Sequence, residues 1–296
     1  MSLIYSYLKT LFRNLVRDRF YSLINLLGLA IGLASAIYIF LYIQDELTYD
    51  RHFADHDRIY RVEGDFFING KHDLAAISQI PMGPTLKDEF PEVQEMTRLL
   101  PANNQYFRNG EDVHREDSIM WSDSTIFSIF SLPFVSGDRA TALREPRSMV
   151  ISESLANKYF GTTNVINQTL KNLDGSIYTI TGVFRDLPGN THMRFNGLVS
   201  AATIEEDVGR EEFNDRSSRA FWNINCYTFI KVAEHTTDRM ILDKFPAFYD
   251  QYMREYGERL NASFDLRLTR LSEIHYQDDH LQWDQPKGNR NYLYIL

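Results

Sequence analysis

"LINLLGLAIGLASAIYIFLYIQDELTYDRHF", Leu23 to Phe53, opens with an uncharged run, Leu23–Ile43, and then turns abruptly acidic. As a helix that run would be about 30 Å long, the thickness of a bilayer's hydrocarbon core, which argues against a buried core helix. Only Asn25 and Ser35 in it are clearly polar. A cleavable signal is the alternative, because Ala34-Ser35-Ala36 resembles a small-residue cleavage site. That triplet lies mid-run, however, and cutting there would leave Ile37–Ile43 as an apolar new terminus. The run also exceeds the usual signal core of about 7–15 residues. The stretch therefore reads as a permanent transmembrane helix over residues 22–44.

The flanks set its orientation. Residues 1–20 carry Lys9, Arg13, Arg17 and Arg19 against the single acid Asp18, a net +3, within a chain of net charge −9. Everything after residue 20 therefore sums to −12. Basic residues before the span and Asp45, Glu46 and Asp50 after it place the N-terminus in the cytoplasm. The remainder is exported, in a bacterium to the periplasm or the cell exterior. Within residues 1–21, Ile4, Leu8, Leu11, Phe12, Leu15 and Val16 form one apolar stripe, with Lys9, Arg13 and Arg17 elsewhere around the helix. This is the pattern of an amphipathic helix lying at the cytoplasmic interface, its cations near anionic lipid. A plain cytoplasmic leader is the alternative. Inside the span, Gly28, Gly32 and Ala36 recur every four residues, a spacing that lets a second helix approach closely.

About 245 residues follow the span, enough for a sizeable core in two lobes. Their acidic balance argues against nucleic acid as a partner. The chain's one cysteine, Cys226, excludes an internal disulfide and sits in an apolar run, as a buried structural thiol does. "RIYRVEGDFF" (Arg58–Phe67) reads as a strand, "ISQIPMGPTLKDEFPEV" as a helix opened by Pro81 or Pro84 and stopped at Pro91, and "QEMTRLL" as a strand. The same order returns later. Strand "CYTFIKVAE" (Cys226–Glu234) leads to a helix capped by Thr237-Asp238, kinked at Pro246 and running toward Gly257; "FDLRLTRL" then alternates as a half-buried strand. Two strand–helix–strand units far apart in sequence suggest the halves of one ferredoxin-like α+β lobe. The residues between them form an inserted second lobe, or else all the strands merge into a single sheet. In that insert Ser152 caps "ESLANKYFG", Gly161 ends the helix, and "YTITGVFRDLPG" is an alternating strand.

Motifs for bond chemistry are scarce. There is no G-x-x-x-x-G-K-[ST] loop for ATP, no G-x-S-x-G elbow, no H-E-x-x-H and no paired C-x-x-C. His52 and His56 with Asp55 and Asp57, and His275 with Asp278, Asp279 and His280, are loose clusters that lack the further fixed ligands of a closed metal site. Glu205-Glu206 and Glu211-Glu212 are adjacent rather than facing pairs. No catalytic, cofactor-binding or metal-ligating residue is assigned.

Taken in order, "RNLVRDRFYSLINLLGLAIGLASA", "YIQDELTYDRHFADHDRIYRV", "EFPEVQEMTRLL", "SGDRATALREPRSMVISESLANKYFG" and "YTITGVFRDLP" resemble the N-terminal part of ABC-transporter permeases of the MacB/FtsX-like class. The resemblance extends to "GNRNYLYIL" and so covers nearly the whole chain. It implies an α+β fold in which the amphipathic helix and span are followed by a two-lobed periplasmic core domain, residues 45–288. Lobe one, ferredoxin-like and porter-type, would take 45–102 and 200–288, with the inserted α+β lobe at 103–199. Residues 289–296 would begin a truncated second span, three further spans being expected in the class. The partners implied are a separate cytoplasmic ABC ATPase subunit, a second copy of the permease, the lipid bilayer and a periplasmic adaptor. No nucleic acid is implied. The location implied is the bacterial inner membrane, and the mechanism is mechanical: ATP binding closes the ATPase, helices shift, and the lobes change their mutual angle. The packing face Gly28/Gly32/Ala36 and the basic residues Lys9, Arg13, Arg17 and Arg19 are the candidate functional residues. The rival reading is a membrane-anchored sensor with a ligand-binding ectodomain, and a tethered periplasmic enzyme is the third.

Overall fold

A computed structural model describes residues 5, 7, 9, 13, 17–102, 104–110, 112–277, 281–284, 287 and 288. By contact the chain divides into two units, one containing residues 1–48 and the other spanning Tyr49–Asn289.

The first unit is built on helix α1, Arg19–Leu47, whose 29 residues include a window of mean hydropathy 2.3 with no residue buried by protein. It is three residues longer at each end than the span expected from the sequence. Such a helix satisfies its backbone internally, as a hydrocarbon environment demands. Its N-terminal boundary is Asp18, whose carbonyl accepts from Ser22 N at 2.9 Å, and at its end Thr48 Oγ1 donates to Gln44 O at 2.9 Å. Lys9, Arg13 and Arg17 are helical and exposed. The apolar stripe Ile4, Leu8, Leu11, Phe12, Leu15 and Val16 lies outside the described residues.

The second unit begins with β1 (Ile59–Ile68), β2 (Lys71–Ala75), β3 (Ser78–Gln79), helix α2 (Met82–Glu89) and β4 (Val93–Pro101). There follow β5 (Gln105–Asn109), β6 (Asp112–Glu116), β7 (Ile119–Ser122), β8 (Phe134–Gly137), β9 (Ser148–Ser152), α3 (Glu153–Phe160), β10 (Thr169–Asn172), β11 (Ile177–Phe184), β12 (Gly197–Ser200) and α4 (Ala202–Val208). The chain closes with β13 (Ile224–Val232), α5 (Asp238–Leu242), α6 (Phe245–Tyr252), α7 (Arg254–Leu260) and β14 (Ala262–Arg270).

Among the described residues the strands form one sheet in the order β14-β1-β13-β4-β7-β12-β9-β11-β10-β5-β6, with β2 on β1, β3 on β13 and β8 on β11. The first four strands, all antiparallel, have the 4-1-3-2 order of a ferredoxin-like βαβ–βαβ unit. Helices α2, α5 and α6 cover one face of it, where Met82, Leu86, Ile241, Phe245 and Phe248 pack on Tyr60, Val62, Ile230 and Phe264. Residues 105–200 supply the other strands, with α3 placing Leu155, Ala156 and Tyr159 against Phe107, Ile151 and Ile180. The two parts are not separate sheets. Strand β4 pairs with β7 through Leu99↔Ser122, Leu100↔Trp121 and Pro101↔Met120, and a third core at this seam mixes Leu99 and Phe229 with Phe130, Phe184 and Leu198. The merged sheet left open by the sequence is thus the pairing found, with a distinct core in each part.

Two local signals act as their chemistry requires, whereas Thr237, at the N-cap of α5, makes no side-chain cap hydrogen bond. Ser152 Oγ accepts from Leu155 N at 3.2 Å, and Gly161 ends α3 at φ 68°. The helix expected to kink at Pro246 is instead three short helices. Pro246 sits in the first turn of α6, where its missing N–H costs nothing, so the chain restarts a helix there rather than bending one. At the second break, after Tyr252, the carbonyl of buried Met253 accepts from Gly257 N as α7 begins and also from Trp222 Nε1, each at 3.0 Å.

Candidate functional site

Gly28, Gly32 and Ala36 are exposed on α1, and a Cβ built at either glycine would meet nothing within 4 Å. Arg17 lies 3.6 Å from Asp18, and the Arg19 guanidinium stacks 5.7 Å from the Phe20 ring centre. The histidines do not converge. His52 lies against the Phe53 ring, His56 against Asp57, and His275 is buried; among the described residues no group of His, Cys, Asp and Glu could hold a metal ion. Asp278, Asp279 and His280 lie outside the described residues. Cys226 is wholly buried, and burial pushes its thiol up to about 11.

The structure instead draws attention to the two segments by which the chain comes into and leaves the Tyr49–Asn289 unit. The incoming segment directly follows α1 in sequence. Its Asp50 is buried at φ 58°, a left-handed conformation that costs a non-glycine residue free energy and marks a position fixed by its surroundings. Those surroundings are a loop between β11 and β12. Asp50 N donates to Asn190 O at 2.9 Å, and Asp50 Oδ1 accepts from Thr191 Oγ1 at 2.6 Å and from His192 N at 3.0 Å. Its Oδ2 lies 2.8 Å from His192 Nδ1, which must be the donor because an ionised carboxylate only accepts. Burial pushes the Asp50 carboxyl up, but the charge and hydrogen bonds of His192, with the Thr191 hydroxyl, outweigh it and hold the group below the usual carboxylate range. Phe53 adds an edge-on contact to Phe130, and Asp55 bridges Arg58 and Lys231.

The outgoing segment docks elsewhere. Gln282 N donates to Leu74 O at 2.8 Å and Gln282 O accepts from Ala76 N at 3.1 Å, extending the β2 edge. Asp284 takes two hydrogen bonds from Arg61, at 2.8 and 3.1 Å, while the same guanidinium gives two more to Glu63 Oε1, at 2.9 and 2.7 Å. Arg61 is 1% exposed and Glu63 fully buried. Gln277 Nε2 satisfies Glu63 Oε2 at 2.8 Å, and Lys287 lies 2.9 Å from Asp284. Burial raises the Asp284 carboxyl, yet the bonds to Arg61 and Lys287 hold it below its ordinary value. Tyr49 and His275 tie the two segments together: their rings stack at 3.6 Å and 8°, and His275 O accepts from Gly288 N at 3.0 Å.

Sequence reasoning did not find these groups. The partners of Asp50 are 141 and 142 residues away, and Arg61 and Asp284 are 223 apart. One local signal existed: Arg61 and Glu63 alternate with Tyr60 and Val62 in a strand, which assigns them to a face of their own. It does not disclose that a distant segment covers that face.

Comparison with known proteins agrees with this architecture. The family model described as the MacB-like periplasmic core domain matches residues 22–245. The crystal structure of a domain of a putative permease protein from Porphyromonas gingivalis superposes with TM-score 0.65 at 19% identity, over 82% of this chain and 99% of that one. The periplasmic region of MacB from Actinobacillus actinomycetemcomitans aligns at 11% identity and TM-score 0.46, covering 72% of this chain and 90% of the other. The extracellular domain of the noncanonic ABC-type transporter YknZ from Gram-positive bacteria aligns at 14% and 0.42, covering 69% and 99%. Among curated proteins none matches. With three quarters of its length matched by the family model, and a permease domain of the same fold beside it, this chain belongs to the MacB-like periplasmic core domain family.

Proposed function

We propose that this chain is the N-terminal portion of an ABC-transporter permease that transmits the work of ATP hydrolysis to a periplasmic substrate. In this reading it sits in the bacterial inner membrane with its N-terminus cytoplasmic and its core domain periplasmic. A separate cytoplasmic subunit hydrolyses ATP, a second permease copy completes the membrane part, and the chain does no bond chemistry itself. A periplasmic adaptor would receive the output.

One observation carries the reading beyond family membership. Asp50 of the incoming segment is held by the β11–β12 loop of the inserted part, and Asp284 of the outgoing segment by β1 of the ferredoxin-like part, while Asp55–Lys231 and the Tyr49–His275 stack join the incoming segment to the ferredoxin-like part and to the outgoing one. In this reading a pull on the incoming segment reaches both parts of the sheet at once, which would couple helix movement to the angle between them. Face Gly28/Gly32/Ala36 would supply the helix contact that drives it, and Lys9, Arg13, Arg17 and Arg19 would hold the leader at anionic headgroups.

The test uses the full-length permease with its ATPase in nanodiscs, spin-labelled at Lys71→Cys and Asp112→Cys, both exposed and one in each part. ATP should shift the label distance, and Gly28→Ile with Gly32→Ile should abolish the shift while insertion stays normal. A distance indifferent to ATP would sink the mechanical reading and favour a sensor. A normal shift in the double variant would mean only that the small-residue face looks at lipid.

A further inference from the structure

Strands β11, β10, β5 and β6 end the sheet, and among the described residues α3 covers one of their faces while the outer part of the other stays exposed. The covered face carries Phe107, Leu170, Tyr178 and Ile180 onto α3. On the other face the register aligns Ile177, Lys171, Arg108 and Val113 as direct neighbours across four strands, a row about 14 Å long. Beside this row lie Arg115, Tyr106 and Leu173. Ile177 and Leu173 are each 51% exposed and Val113 44%, and both Lys171 and Arg108 are exposed.

Two features of this face work against the fold alone. Lys171 and Arg108 are like charges directly opposite each other on paired strands, an arrangement that destabilises a sheet. Among the described residues neither has an acidic partner: Asp117 is taken by Arg115 at 2.6 Å, and Asp174 by its own turn at Ser176 N. The pair is also basic in a segment whose sum is −12.

We propose that this face docks a partner protein that presents carboxylates between apolar side chains. The carboxylates would lie over Arg108 and Lys171, and the apolar groups over Ile177, Leu173 and Val113. Charge complementarity selects an acidic partner. The edge selects a polypeptide over a lipid surface: among the described residues β6 pairs only with β5, so its outward N–H and C=O groups are open to an added strand. The inference does not rest on the transport reading.

The probe is a short synthetic peptide alternating glutamate with valine, with its glutamine–valine counterpart as control. Binding is measured by anisotropy on the full chain in phosphatidylcholine nanodiscs. The glutamate peptide should bind wild type, weaken with salt, and lose about tenfold in affinity in Arg108→Glu/Lys171→Glu. Lys171→Glu alone should raise the melting temperature, by turning a repulsive cross-strand pair into an attractive one, while weakening the peptide. Equal binding of the glutamine peptide, or indifference to charge reversal, would overturn the proposal. So would adsorption to phosphatidylglycerol vesicles through these cations without any peptide binding, which would make the partner a lipid surface.

Discussion

The incoming and outgoing segments of the core domain each bury one aspartate side chain, but by different physics. Asp50 is received by a hydroxyl, a backbone N–H and an imidazole, all from the 190–192 loop. Asp284 is received by a guanidinium already shared with Glu63. The first arrangement spreads its charge over short-range donors that are fixed to one another by the chain. The second is a buried ion cluster whose members come from two strand positions and a distant segment, with Arg61 the one cation that bonds both carboxylates and Lys287 a second on Asp284. The two segments therefore differ in how far each depends on a single residue.

Breaking the stronger anchor should have the largest effect. Arg61→Ala removes the guanidinium that Glu63 and Asp284 share, leaving only Lys287 beside Asp284 and the more distant Arg267 near Glu63, and should cost about 3–5 kcal/mol in denaturant unfolding of the core domain. Asp50→Ala strands the Thr191 hydroxyl and the His192 ring and should cost about 1–3 kcal/mol. If the two variants prove equal, the contrast drawn above is wrong. Acid is gentler than truncation, because a protonated carboxyl keeps part of its hydrogen bonding. Both aspartates titrate below their ordinary range in the folded protein, so the unfolded chain binds protons first as pH falls. Their contribution is complete above about pH 4 and is lost as pH drops through the depressed folded values. Asp284→Asn should flatten this acid limb in a urea series run across pH. Smallest of all, Tyr49→Phe removes only the hydroxyl that donates to Thr191 O at 2.9 Å and should cost about 0.5–1.5 kcal/mol, the ring stack on His275 remaining.

What the sequence discloses about this fold follows the range of the interactions. The span, the Ser152 cap, the Gly161 stop and the alternation in 177–184 depend on neighbours within a few residues, so they are legible. Two βαβ units are legible for the same reason, and their ferredoxin-like order follows from how such units pack. The continuity of the sheet is not, because Leu99–Pro101 meeting Met120–Ser122 depends on which edges are left uncovered once both parts have packed. The anchors at Asp50 and Arg61 are least legible, since a buried charge in a strand looks like a solvated one until its cover is known. Pro246 shows the same limit in a local setting: a proline reports that a helix changes there, but not whether the chain kinks or, as here, restarts with Pro246 in the first turn of a new helix.

The register of β1 sets the order in which this molecule can be assembled. Ile59–Val62 pair with β13, and Tyr60 through Ile68 pair with residues 270 back to 262. Until β13 and then β14 are made, β1 has only its local hairpin with β2 along 64–68, and its 59–62 end and the whole edge that later takes β14 are open to other strands. The whole insert must be made before either flank can close, and such distant pairings form slowly. Newly made protein therefore passes through a stage in which β1, flanked on both sides in the finished sheet, still offers open edges. Variants that delay β13 or β14 should appear as aggregation during synthesis, even where the finished domain is as stable as wild type.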